Sequence, residues 1–145
     1  MDIEIKRFKD LSQEELYLIL HARQEVFAVE QNIAYQDLDY LDQHSSHIFI
    51  KDGHNLAAYL RVIDAGAKFK ETSIGRVLTL KDYRGKGYGR KLMEETLKFI
   101  EGQKAFPVRI DAQQYLSRFY ESLGFEKTSE PFILEGISHI EMFHP

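Results

Sequence analysis

Residues 84 to 89 read Arg-Gly-Lys-Gly-Tyr-Gly, and they sit between two segments of different period. Before them, Ser73 to Leu80 is an apolar run of strand length. After them, Leu92, Met93, Leu97 and Ile100 recur at helical spacing. A strand that ends in a glycine-rich turn and starts a helix commits the chain to an α/β layout. It also gathers several backbone N–H groups and the positive helix end at one point, which suits an anion. Glycine at 85, 87 and 89 keeps side chains from standing between main chain and phosphate, while Arg84 and Lys86 add charge. The same glycines serve equally well as a plain tight connection. Spacing excludes two nucleotide motifs. The dinucleotide pattern needs glycine at position 90, where Arg90 stands, and the Walker pattern needs four residues between its glycines.

The rest of the chain supplies the other elements. Ile3 and Ile5 alternate with charged residues and predict a strand near 2 to 8. Ser12 and Glu15 have capping-box spacing, and Leu16, Ile19, Leu20 and Phe27 predict a helix running towards Gln31. Residues 32 to 46 are polar and acidic and read as a loop. Asp52-Gly53-His54-Asn55 joins His47–Lys51 to Leu56–Ile63 as a hairpin. A short strand at Pro107 to Asp111 precedes a helix with the stripe Leu116, Phe119, Tyr120, Leu123, which Gly124 ends. Strands near 125 to 128 and 137 to 143 close the chain. With 145 residues and no repeat or linker, one α/β domain over 1–145 is expected. Its sheet should be mixed, mostly antiparallel, of about six to seven strands, with helices on both faces.

Composition narrows the chemistry. There is no cysteine, so disulfides, thiolate metal sites and a cysteine acyl-enzyme are excluded. A net charge of −4 gives no reason to expect nucleic acid. The longest apolar run, Leu16 to Leu20, is far short of a bilayer span, and the first ten residues lack a signal-peptide plan, so a cytoplasmic protein with no membrane partner is expected. Charge is unevenly divided. Residues 24 to 50 carry Glu25, Glu30, Asp37, Asp39 and Asp42 with no Lys or Arg, whereas 81 to 91 carry five cations against Asp82 alone. His44 and His47, three apart, lie in the acidic stretch beside Asp42, but no further ligand has a convincing spacing and no metal is expected.

Arg84-x-x-Gly87-x-Gly89, preceded by Val77-Leu78-Thr79, resembles the acetyl-CoA motif of the GCN5-related N-acetyltransferase (GNAT) family. Tyr120-x-x-x-Gly124-Phe125 is similar to that family's second signature, and Gln113 stands where many members have asparagine. Arg23-Gln24-x-Val26-Phe27, Asp39-x-x-Asp42, Ala58-Tyr59-Leu60-Arg61, Ile74-Gly75-Arg76-Val77 and Gly136-Ile137-x-His139-Ile140-x-Met142 are similar to its ElaA-like branch.

The resemblance implies a cofactor site for acetyl-CoA at Val77, Leu78, Thr79, Arg84, Gly85, Lys86, Gly87, Tyr88, Gly89, Arg90, Gln113 and Tyr120, with no metal. The strand at 77 to 79 should be bulged and splayed from its neighbour, and a main-chain N–H near Val77 or Leu78 should polarise the thioester. Tyr120 is the expected proton donor to the departing thiolate, although spacing alone equally makes it a core residue. For the base that frees an amine acceptor, Glu30, Asp37, Asp39, His47 and His139 all qualify. Glu30 is preferred because the first helix should end beside the acceptor cleft. The acidic segment would then form a wall facing a cationic amine. Arg61 and Arg76, inside apolar strands, should either reach the surface or pair with Asp39 or Asp42. The implied activity is acetyl transfer by direct attack in a ternary complex, the alternative being a noncatalytic acyl-CoA-binding module. Monomer and homodimer both remain open, with Phe132, Ile133, Ile137 and Phe143 available as a contact surface.

Overall fold

The first helix begins as its cap spacing predicts. Glu15 N–H donates to Ser12 Oγ at 3.0 Å, and Ser12 N–H donates to Glu15 Oε1 at 2.9 Å. In the computed structural model, which describes residues 2–145, strand β1 (Ile3–Arg7) precedes this helix, α1 (Gln13–Gln24). A wider π-helical turn, Glu25–Glu30, continues it. Strands β2 (Ser45–Asp52) and β3 (Asn55–Ile63) form the expected hairpin, with Gly53 at φ 62° in its turn. Then come β4 (Thr72–Thr79), α2 (Tyr88–Gly102), β5 (Val108–Gln113), the short α3 (Ser117–Glu121), β6 (Glu126–Lys127), β7 (Phe132–Leu134) and β8 (Ile137–His144).

The sheet runs β1-β2-β3-β4-β5-β8-β6, with β7 on β8. Every pairing is antiparallel except β4 with β5. The described residues form a single α/β domain with eight strands. The one beyond expectation is β7, three residues long, which returns through Glu135 and Gly136 at φ 49° and 74° into β8. Two successive left-handed residues match the twist of a hairpin, but a three-residue strand has too few alternations to register as a period.

Alternation along the strands divides the core in two. Ile48, Ile50, Ala58 and Leu60 face α2, packing with Leu92, Met93, Ile100, Ile110, Tyr120 and Phe125. Phe49, Tyr59 and Leu78 face the other way, against Ile19 and Ala22 of α1 and Val26 of the π-helical turn. Helices therefore cover both faces, as expected. Among the described residues no helix is long and apolar enough to cross a membrane.

Glu15 does more than cap α1. Its buried carboxylate also accepts from Lys6 Nζ at 2.9 and 3.0 Å and lies 3.5 Å from Lys51 Nζ. Burial alone would raise its pKa, but the Ser12 N–H and the two lysines outweigh that and hold it down at about 2, from 4.5. A depressed carboxyl stabilises the fold above its unfolded pKa and loses that contribution as pH falls through the folded value. Stability should therefore decline between about pH 5 and pH 2, by on the order of 3 kcal/mol from this group. Unfolding midpoints measured across that range check this, and Glu15→Gln should flatten the decline. An unchanged midpoint from pH 7 to pH 3 would refute it.

Candidate active site

Strand β4 carries the bulge that the resemblance implies. Tyr59 pairs with Leu78, but Arg61 pairs with Gly75, so three steps on β4 oppose two on β3. The extra residue is accommodated at Arg76, held in the left-handed region at φ 54°. β4 also leaves its parallel neighbour early, since only Thr72–Val108 and Ser73–Arg109 pair. Beyond them a gap opens between the C-terminal halves of β4 and β5. Leu80 N–H donates to Ala57 O at 3.0 Å. By alternation Leu78 also turns its main chain towards β3, and Val77 and Thr79 turn theirs towards the gap. Of the three residues expected along the gap, Leu78 is thus directed elsewhere, and its side chain is buried against α1.

The glycine turn lies at the end of this strand. Gly85 and Gly87 have φ of 76° and 82°, and a Cβ at either would meet nothing within 4 Å. Backbone angle, rather than crowding within the chain, requires glycine there. Gly89 is ordinary helix, 3.6 Å from Thr79 Oγ1 at its Cβ position. Gly87 caps α2 without a side-chain acceptor, and no acid occupies the first turn. An anion would therefore meet the helix end without competition from a carboxylate. Three cations surround the turn. Arg84 Nε donates to Thr79 O at 2.9 Å, Lys86 Nζ lies 5.8 Å from the Tyr83 ring centre, and Arg90 Nη2 donates to Ser122 Oγ at 2.6 Å. Tyr88 packs edge-on against Tyr83.

Tyr120 is the core residue that its spacing predicts. It is buried in the α2-side core, with Phe119 and Phe125 edge-on at 5.2 and 5.9 Å. Burial first, and nearby Tyr115 second, push its pKa well above the ordinary phenol value. An ordinary phenol, with a pKa of about 10, would match a departing alkyl thiol, and burial moves Tyr120 away from that match. Tyr120 is a neutral hydrogen-bond donor at any accessible pH, and its anion is disfavoured.

The end of the π-helical turn reaches both sides of the gap. Glu30 Oε1 accepts from Arg84 Nη2 at 2.6 Å, and Gln31 Nε2 donates to Gln113 Oε1 at 3.3 Å. A carboxylate oxygen engaged by arginine is poorly placed to take a proton, which counts against Glu30 as the base.

The expected acidic wall is a neutralised network. Arg23 Nη1 donates to Asp42 Oδ1 at 2.7 Å, and its Nε lies 2.9 Å from Asp37 Oδ2, an ion pair by distance but out of line for a hydrogen bond. Arg61 Nη1 donates to Asp39 and Asp42 at 2.9 Å, and its Nη2 donates to Asp39 Oδ2. Arg76 Nε donates to Asp37 Oδ1 at 2.9 Å, with Nη2 on Asp37 O, and its guanidinium lies over the Tyr35 ring. Three arginines thus match Asp37, Asp39 and Asp42. The pairing expected for Arg61 and Arg76 is present, but the negative field it was expected to leave for an acceptor is not. The reason is that the partners come from other segments, so a local count of charge misleads. Burial, the larger effect, lowers the pKa of His47, whose ring nitrogens meet Tyr59 Oη at 2.7 Å and Asp42 O at 2.9 Å. That makes it a neutral core residue. His44 is exposed, and no group of three His, Asp or Glu able to hold a metal ion occurs among the described residues. His139 Nδ1 bonds Ile137 O at 2.8 Å, with its ring stacked on Phe132.

One residue escaped the sequence reading. Val108, Ile110 and Ala112 of β5 face the core, so Arg109, Asp111 and Gln113 line its other side. The alternation was there to be read in Val-Arg-Ile-Asp-Ala-Gln, had the strand been carried past Asp111. A concavity of about 1080 Å³ lies away from this region, between β1, the loop at Asp64 and the end of α2 near Gln103 and Phe106.

Comparison with known proteins accords with this geometry. Residues 8–143 match the family model described as an acetyltransferase (GNAT) domain. A UPF0039 protein of Synechocystis is 40% identical over 139 residues, covering 94% of this chain and 90% of that one. Escherichia coli protein ElaA is 37% identical over 136 residues, 92% of this chain and 89% of its own, and its crystal structure superposes with a TM-score of 0.92 over 99% of both chains. The crystal structure of an acyl-CoA N-acyltransferase from Pseudomonas aeruginosa gives a TM-score of 0.94 at 36% identity, again over 99% of both chains.

Proposed function

The chain belongs to the GNAT acetyltransferase family, and on that premise we propose that it is a cytoplasmic, acetyl-CoA-dependent enzyme that transfers acetyl to a primary amine by direct attack in a ternary complex. The observation that carries this reading is the junction of two features. The open edge of bulged β4 ends at a helix terminus that has no capping side chain and no acid in its first turn.

Acetyl-CoA supplies an acetyl group already activated as a thioester. The backbone from Gly85 to Arg90 receives the diphosphate, with Arg84, Lys86 and Arg90 adding charge. Val77 and Thr79 hold the pantetheine amides as an added strand would, and the Val77 N–H faces the developing oxyanion. Glu30 keeps Arg84 aimed across the turn, and Gln113 borders the gap from β5. Tyr120 donates to the sulfur as the C–S bond breaks. The nitrogen loses two protons overall as its C–N bond forms. One compensates the thiolate through Tyr120, and the other leaves to solvent.

Calorimetry with acetyl-CoA, CoA, ATP and NAD tests the reading, and preference for ATP or NAD would overturn it. In the same titration Gly87→Ala should weaken CoA binding roughly tenfold, because alanine is strained at φ 82°. Unchanged affinity would remove the turn from the site. A noncatalytic acyl-CoA-binding module would bind CoA yet release no thiol with any amine.

A further inference from the structure

We propose that Asp111 is the residue that receives the acceptor's ammonium group. The assignment rests on the acetyl-transfer reading and names the residue that positions its second substrate.

Position comes first. The last β4–β5 pair is Ser73 with Arg109, so Asp111 stands two residues, roughly 7 Å, beyond the point where the strands part. Its neighbours Ile110 and Ala112 are buried in the α2-side core, so its side chain projects from the opposite face, level with the start of the β4 bulge. There it looks across the gap towards the strand edge where the thioester would lie.

The second argument is hydrogen bonding. Asp111 Oδ1 is fully buried and accepts no hydrogen bond. A buried carboxylate oxygen without a donor is costly, and such groups are kept where they have a partner to meet. Arg109, two residues away on the same face, does not supply that partner. Its Nη2 lies 2.9 Å from Glu141 Oε2, and its Nε also lacks a hydrogen bond.

Elimination is the third argument. Glu30 is held by Arg84, while Asp37, Asp39 and Asp42 are held by Arg23, Arg61 and Arg76. Glu141, beside Asp111 on β8, pairs with Arg109 and accepts from Thr128 Oγ1 at 2.9 Å. Among these carboxylates Asp111 alone has neither a salt bridge nor a donor. Lys68 interacts with Asp111 by charge but makes no ion-pair contact with it, so Oδ1 still lacks a donor, and a primary ammonium, with three N–H donors and a positive charge, supplies one.

The test compares two nucleophiles of equal size, methylamine, which is cationic near neutral pH, and hydroxylamine, which is neutral there. Thiol release from acetyl-CoA is measured for the wild-type protein and for Asp111→Asn. The expected result is a loss of at least tenfold in kcat/KM for methylamine relative to hydroxylamine, with CoA affinity unchanged. The unfolding midpoint of Asp111→Asn should be equal or higher, because a half-buried carboxylate whose Oδ1 lacks a hydrogen-bond donor has been replaced by a neutral amide. Equal loss with both nucleophiles, a lowered midpoint, or no loss with either would overturn the assignment. Wild-type protein that releases thiol with neither nucleophile would instead overturn acetyl transfer itself, and the assignment with it.

Discussion

Tyr120→Phe is expected to lower turnover about a hundredfold while leaving CoA affinity and stability nearly unchanged. The phenol's hydroxyl is the only atom removed, and the ring keeps its contacts with Phe119 and Phe125. Loss of one positioned proton donor typically costs about 10²–10⁴ in rate. The lower end applies here because burial has made Tyr120 a weaker acid than a free phenol. Its main contribution is then a hydrogen bond to the sulfur as negative charge builds there, with full transfer following once the nitrogen sheds its proton. The same burial carries a sign for the pH profile. Tyr120 stays protonated through the accessible range, so any alkaline loss of activity must belong to another group and should persist in the variant. Single-turnover kinetics with acetyl-CoA, beside calorimetry with CoA, measure both halves. Equal turnover in the two proteins would remove Tyr120 from the mechanism.

Arg61→Ala should have the largest effect on stability, about 3–5 kcal/mol. The Arg61 side chain is 1% exposed and bonds both Asp39 and Asp42. Asp42 would keep Arg23, and Asp39 would keep only the longer contact of 3.4 Å to Arg76. In the intact protein burial would raise the pKa of each, but the arginines outweigh it and hold both down, Asp39 at about 2. In the variant Asp42 keeps Arg23, which lowers its pKa most, and stays charged, whereas Asp39 loses the arginine that lowers its pKa most. The deletion thus leaves buried negative charge short of its counter-charge, besides a cavity of arginine size. The thermal midpoint should fall by roughly 10 °C or more. Urea unfolding of the two proteins checks this, and a difference below about 1 kcal/mol would show the network to be dispensable. Because Arg76 joins Asp37 to the β4 bulge, loosening the loop should also disturb the strand edge proposed to hold the thioester.

How much of the site was legible depended on how far apart its parts lie in the chain. The Ser12–Glu15 cap, the Gly53 turn, and the strand, turn and helix around Gly87 involve residues within a few positions of one another. Local spacing specifies them almost alone. The family resemblance rested on such segments, and the matches to known proteins bear it out. The role of residues 24 to 50 could not be read that way. Glu30 and Arg84 are 54 positions apart, and Asp37 and Arg76 are 39 apart. A run of acids looks like a charged wall until folding brings its arginines. Asp111 was hidden for a related reason. Its interest lies in the donor that its Oδ1 lacks, and a missing hydrogen bond exists only once every neighbour is in place.

The sequence by itself determined the order of elements, the glycine turn with its positive backbone angles, and the two-sided burial of the strands. Each follows from steric and hydrogen-bonding rules that act over a few residues. Only the tertiary structure decided where β4 parts from β5, which carboxylates are neutralised, and that burial raises the pKa of Tyr120. Strand separation, charge balance and desolvation are set by atoms that meet in space after the chain has closed on itself, whatever their distance along it.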